Sequence, residues 1–142
     1  MGVPVEGRFE IGTDGPSLVL VGIDGSRTSL RAAAWAAGLV RRQGSRLVVV
    51  HVQRPSATLA MSNAEIAADL EREFRVRVVE MGIQADFVSV VGDPWHELTR
   101  IADEMRVDLV VVGASESAGH RIVGSLTGRL VRAGRWPVSV VP

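Results

Sequence analysis

No cysteine occurs in the 142 residues. Disulfides, thiol nucleophiles and cysteine zinc sites are therefore excluded, and the composition fits a cytoplasmic location. Lysine is missing as well: all sixteen basic residues are arginine, so neither a lysine phosphate clamp nor a Schiff base can form. The sixteen acidic residues cancel that charge, leaving little long-range attraction for nucleic acid. No apolar run approaches the roughly eighteen residues of a membrane span. The opening MGVPVEGRFEIGTDGP has no basic region followed by an apolar core, as a secretory signal requires. Neither nucleic acid nor a membrane is thus an expected partner. Residues 1–16 read as a flexible leader and residues 17–142 as one domain. A chain of this size buries about two thirds of its unfolded surface without staples.

What is present is a regular alternation of short apolar runs and longer periodic ones. Ser17–Asp24 (SLVLVGID) is apolar on both faces, the mark of a central strand covered twice. Ser26 is placed to cap a helix over Arg27–Arg42, with Leu30, Ala33, Ala34, Ala37 and Val40 as the expected buried stripe. Trp35 lies off that stripe, and Gly44 stops the helix. Arg46–Val52 is a second strand, and Gln53–Met61 a loop. Ser62-Asn-Ala-Glu65 has capping-box spacing and predicts a helix carrying Ile66, Leu70, Phe74 and Val78 on one face, ended by Gly82. Ala85–Val91 is a third strand. Asp93–Pro94 supplies a carboxylate cap and a proline at the first helical position. Trp95, Leu98, Ile101, Ala102 and Met105 form the apolar side of the helix it opens. Val107–Val112 is a fourth strand, interrupted by Asp108, and Gly113–Val123 an irregular loop. Ser125 is expected to cap a last helix ending near Gly134, before a final strand over Trp136–Val141. This order demands right-handed crossovers and a layered sheet. The last strand reads as an exposed edge that a second subunit could pair with.

Open parallel sheets bind ligands beyond the carboxyl ends of their strands, where the strand order reverses. Asp24, His51–Val52 and Gly113–Ser125 fall at such ends. Asp24 either accepts hydrogen bonds from a ribose or an adenine amino group, or serves backbone N–H groups of its own turn; both readings stay open. Ser26 reads as a cap rather than a nucleophile. Gly113, Gly119 and Gly124 permit close backbone approach, and the helix start at Gly124–Ser125 can hold an anion. Ser115, Ser117 and Ser125 add hydroxyls, although neither GxxxxGK[ST] nor GxGxxG is present. Arg121 is near enough in sequence to reach an anion there. Arg129, Arg132 and Arg135 read as the solvated face of the last helix. His51, His96 and His120 belong to no HExxH or close carboxylate set, so no metal site is expected. Ser115, His120 and Asp24 can be drawn as a triad, but GxSxG is absent, and no catalytic residue is assigned.

Several of these marks, in this order, resemble the universal stress protein family over roughly Ser17–Val141. They are Ile23-Asp-Gly-Ser26, Val50-His-Val52, Gly92-Asp-Pro94, Ala102 through Asp108-Leu-Val-Val-Val-Gly113, Gly124-Ser125 and Trp136-Pro-Val-Ser-Val-Val141. The resemblance implies an α/β fold of the adenine nucleotide alpha hydrolase-like type. That fold is a single three-layer domain with a five-stranded parallel sheet in the order 3-2-1-4-5. It also implies cytoplasmic homodimers paired through the fifth strand and a role in stress response and regulation. Among members that bind nucleotides, the ligand is ATP, AMP or cyclic AMP. By that resemblance Asp24 contacts the adenine side, and Val52 lines the base pocket. Val112 and Gly113 support base and ribose, while Gly124, Ser125 and Leu126 meet phosphates.

The ATP-binding pattern of the family is glycine, two residues, glycine, nine residues, then glycine with serine or threonine. Gly113 matches its first glycine, but Glu116 stands at the second, and Gly124 comes two residues early. A carboxylate among phosphates repels unless a metal or Arg121 offsets it. The expected cofactor is therefore an adenine nucleotide with a weakened hold on a triphosphate, or none. Three functions compete: a stress-response protein with a weak or degenerate nucleotide cleft, a nucleotide-free dimeric interaction protein, and a weak nucleotide hydrolase. A flavin-binding electron-transfer domain shares the layered sheet and would be coloured.

Overall fold

A computed structural model describes residues 15–55, 60–115 and 125–142. Nine elements alternate along the described residues. They are β1 (Leu18–Ile23), α1 (Arg27–Gln43), β2 (Arg46–Gln53), α2 (Ala60–Met81), β3 (Gln84–Val91), α3 (Pro94–Met105), β4 (Leu109–Gly113), α4 (Ser125–Ala133) and β5 (Val138–Val141). The five strands form one parallel sheet in the order β3-β2-β1-β4-β5, the expected α/β architecture.

Strand β1 is central, and alternate residues feed two cores. Val19, Val21 and Ile23 join Leu47, Val49 and Val111 under α1, with Leu70 and Phe74 of α2 packed at the side. Leu20, Val48, Val50, Val110 and Val112 face the other way, against Leu98, Ile101 and Ala102 of α3 and Leu130 of α4. The apolar runs are thus nearly continuous because both faces of the sheet are covered.

The helix boundaries follow local chemistry. Ser26 accepts a hydrogen bond from Ser29 N–H and caps α1; Asp93 does the same for His96 N–H ahead of Pro94 in α3. Gly44 closes α1 at φ +67°, where it donates to the Val40 carbonyl. Asp108, which interrupts the fourth apolar run, has a structural role. Its Oδ2 accepts from the N–H groups of Ser17 (2.9 Å) and Leu18 (3.0 Å), tying the start of β1 to the start of β4.

Four expectations are corrected. The buried stripe of α1 is Ser29, Ala32, Ala36, Ala37 and Val40, whereas Leu30 is 42% exposed and Ala34 is exposed too. The helix is rotated so that its smallest side chains meet β1 and β4. Helix α2 begins at Ala60, so Ser62 stands inside its first turn rather than before it. Likewise α4 begins at Ser125, which is its first helical residue rather than its cap. Strand β5 begins at Val138, not Trp136. Pro137 has no N–H for the ladder, although its carbonyl still accepts from Val110 N–H at 3.0 Å.

Candidate functional site

The crossovers leave β1 and β4 toward opposite faces: α1 lies on one side of the sheet and α4 on the other. A crevice opens between them at the carboxyl ends of the strands. It holds a cavity of about 850 Å³. Six of the residues named from the sequence line it together: Asp24, Val52, Val112, Gly113, Ser125 and Leu126. Ser115 lines it too. The other two named positions, Arg121 and Gly124, lie outside the described residues, as do Glu116, Gly119 and His120.

Asp24 occupies the tight turn between β1 and α1. Its Oδ1 accepts from Ser26 N–H at 2.9 Å, and its own N–H donates to Ser29 Oγ at 3.2 Å. The turn reading of this carboxylate is the one observed. One oxygen serves the turn, while Oδ2 has no protein partner among the described residues. Partial burial pushes the carboxyl up, but hydrogen bonding with Ser26, Ser29 and its own N–H outweighs that and holds it below the ordinary range. It is an anion at neutral pH, with one oxygen available to a donor.

Gly113 ends β4 beneath the first turn of α1. A Cβ there would lie 2.5 Å from the Thr28 carbonyl carbon, 2.6 Å from its oxygen and 2.8 Å from Ser29 N. All three are backbone atoms, so only glycine lets the sheet and α1 close upon each other.

Three helix starts border the cavity. Ser26, Thr28 and Ser29 come from α1, Pro94 from α3, and Ser125, Leu126 and Thr127 from α4. Unpaired N–H groups at such ends carry partial positive charge. The apolar walls are Ile23, Val50, Val52, Leu98, Val112 and Leu126. The arrangement offers a flat group apolar contact, gives its N–H or O–H groups a carboxylate, and gives an anion helix termini.

Sequence reasoning missed several lining residues. Thr28, Ser29 and Thr127 are buried hydroxyl residues in the first turns of α1 and α4; their position just after a strand's carboxyl end was the available signal. Arg54 reaches the cavity only because β2 runs on past Val52 to Gln53. His51 lies on the cavity floor, 2% exposed, with Nδ1 3.5 Å from Ser89 Oγ and its ring tilted against Phe87. Burial pushes its pKa below the ordinary value, and the Asp24 charge opposes that only in part. His96 is exposed on α3.

The arginines of α4 and of the turn that follows it are exposed, yet two of them make specific contacts. The Arg129 guanidinium lies over the Trp95 ring at 4.3 Å. Arg135 lies over Trp136 at 4.5 Å and pairs with Asp103. These contacts tie the α4 region to α3. Among the described residues no group of three His, Cys, Asp or Glu side chains could hold a metal ion.

The family model described as the universal stress protein family matches residues 17–142. The chain belongs to the universal stress protein family. Among curated relatives it is similar to universal stress protein YxiE of Bacillus subtilis (strain 168), 28% identical over 143 residues, covering 87% of this chain and 97% of that one. Among solved structures it is similar to a universal stress protein family member from Burkholderia pseudomallei. That match has a TM-score of 0.75 and 26% identity, over 89% of this chain and 96% of the other. It is also similar to a universal stress protein solved in complex with cAMP, with a TM-score of 0.69 and 29% identity over 89% and 96% of the two chains. The family's sheet order is the one observed here.

Proposed function

We propose that this universal stress protein is a regulatory protein whose cleft takes an adenine-nucleotide-type ligand and holds the nucleoside part better than a triphosphate. The observation that carries this reading is the convergence of Asp24, Val52, Val112, Gly113, Ser125 and Leu126 on one cavity of about 850 Å³. The residues present fit such a group. Ile23, Val52 and Val112 offer apolar contact to a base, Asp24 Oδ2 accepts from an amino or hydroxyl group, and the first turn of α4 faces an anion. The complex of a relative with cAMP supports the same ligand class. Glu116, at a glycine position of the family's ATP pattern, and the shorter spacing to Gly124 weigh against a tightly held triphosphate. Arg121 and Gly124 complete the proposed phosphate side.

Isothermal titration with ATP, AMP, cyclic AMP and adenosine tests the proposal. We expect heat with the monophosphates or adenosine and its loss in Asp24→Ala. Silence with all four, at concentrations that detect millimolar affinity, would leave a nucleotide-free interaction protein, the reading Glu116 favours. Steady nucleotide turnover would instead favour a hydrolase. The same proposal includes a homodimer through β5, which among the described residues is an edge strand paired on its β4 side alone, with Val140 37% exposed. Sedimentation of a Val140→Arg variant tests it: the variant should be monomeric if the pairing is correct.

A further inference from the structure

Arg54 stands one residue past the end of β2 and lines the cleft of about 850 Å³. It is the one guanidinium among the described lining residues. The residue is exposed and has no hydrogen bond or ion pair among the described residues. The cleft is also short of flat side chains. No Phe, Trp or Tyr is among its described lining residues, and the His51 ring is 2% exposed and tilted against Phe87. A flat ligand group therefore finds no aromatic ring there to lie on.

We propose that Arg54 supplies the missing face: its guanidinium lies flat on the solvent side of the ligand's base, with Val52 on the other side. This role rests on the nucleotide reading above and adds to it the residue that covers the base.

Register places the two sides. Ile23 pairs with His51, so Asp24 and Val52 stand at one level of the sheet edge. Val48, Val50 and Val52 face the α3–α4 side. Arg54 follows Val52 by two residues, the step that returns a side chain to the same face. Two residues of strand span about 7 Å. A ring held between two groups, at an ordinary contact of about 3.5 Å on each side, needs the same spacing. A base that gives an amino hydrogen to Asp24 Oδ2 and rests on Val52 therefore has its open face under Arg54.

Position also separates Arg54 from the phosphate side. Strands β2 and β4 flank β1, so their ends lie about 10 Å apart. The start of α4, which faces an anion, belongs to the β4 end. A guanidinium stacks on flat rings and is attracted to their π-clouds. This chain uses that contact twice elsewhere, with Arg129 over Trp95 at 4.3 Å and Arg135 over Trp136 at 4.5 Å.

Calorimetric titration of the full chain with adenosine and AMP tests this role, on the parent, Arg54→Ala and Arg54→Lys. Arg54→Ala should weaken adenosine and AMP by the same factor, about tenfold. Its urea midpoint should match the parent's, because the residue is exposed. Arg54→Lys should recover only part of the lost affinity, since an ammonium is a point charge without a flat face. Unchanged affinity in Arg54→Ala would overturn this role and leave the nucleotide reading standing. A loss confined to AMP, which would make Arg54 a phosphate contact, would overturn it as well. So would full recovery by Arg54→Lys, which needs charge alone. No heat from the parent with either ligand would instead sink the nucleotide reading, and this role with it.

Discussion

Replacing Gly113 by alanine should destabilise the domain by about 2–4 kcal/mol, and the reason is purely steric. The new methyl would sit 2.5 Å from one backbone atom of Thr28 and 2.6 Å from another. Ordinary contacts begin near 3.5 Å, so either β4 or the first turn of α1 must give way by the better part of an ångström. No flexible side-chain end is there to swing aside. Overpacking of this kind costs about 1–3 kcal/mol. The forced shift also bears on the cap, since Ser29 N–H reaches Ser26 Oγ at 3.3 Å and Ser29 Oγ accepts from Asp24 N–H at 3.2 Å. Losing a cap costs about 1 kcal/mol more. For a domain of this size the midpoint should fall by roughly 6–12 °C. The assay is urea unfolding of parent and variant, read as a change in midpoint at constant slope. Gly38→Ala serves as the control. Its Cβ would meet only the Arg42 guanidinium, at 3.4 Å, so it should gain about 0.5–1 kcal/mol from helix propensity. A Gly113→Ala variant within about 0.5 kcal/mol of the parent, the range of ordinary surface changes, would refute the steric argument.

Other expectations follow from the same geometry. Leu20→Ala, at a side chain with 0% exposure, should cost about 2–5 kcal/mol in the same urea assay. Asp108→Ala removes the acceptor for two N–H groups at the head of β1 and should cost about 1–2 kcal/mol, with faster amide exchange at Ser17 and Leu18. The His51 imidazole is held below its ordinary value of 6.5, so at acid pH the unfolded chain binds more protons there than the folded one. Stability should therefore be level above pH 6.5 and fall as the pH drops below it, and His51→Gln should flatten that slope. Stability that rises on acidification through this range would contradict the assignment. The Asp24 carboxylate, held below 3.8, contributes above that pH, and its contribution is lost only in stronger acid.

Much of the fold was legible because the strands are short, apolar on both faces and separated by capped helices. Ser26, Gly44 and Asp93–Pro94 act locally, and local signals survive folding unchanged. The phase of α1 was not legible. Alanine occupies positions 32, 33, 34, 36 and 37, so hydrophobicity barely distinguishes one face from the next. Close packing of small side chains on β1 and β4 decides it, and Leu30 is turned outward to the α1–α2 groove. The start of α2 was misread because a capping-box pattern can also occur inside a first turn. In the cleft, strand-end residues could be named in advance because the carboxyl edge of the sheet is a positional rule. Arg54 could not, since its place depends on how far β2 runs. Nor could the stacking of Arg129 and Arg135, because it needs the tertiary placement of Trp95 and Trp136.

The cleft also shows that a motif residue can be fully accounted for by the fold. Gly113 matches a ligand-binding pattern, yet the backbone of Thr28 alone requires a glycine there. Its presence therefore says nothing about a ligand, and a variant at this position would lose binding through misfolding alone. Asp24 is different, because the fold explains only one of its oxygens. Oδ1 holds the turn through Ser26 N–H, while Oδ2 has no protein partner among the described residues. Asp24→Asn keeps an acceptor for the turn and removes the charge, so it separates the two roles. It should leave the urea midpoint within about 1 kcal/mol of the parent, the scale of one neutral hydrogen bond. If the cleft takes a nucleoside group through that carboxylate, the same variant should weaken adenosine or monophosphate binding about tenfold or more, as loss of a charge-assisted bond does. Binding unchanged by Asp24→Asn would remove the carboxylate from the site and leave the apolar walls and helix termini as its only claim.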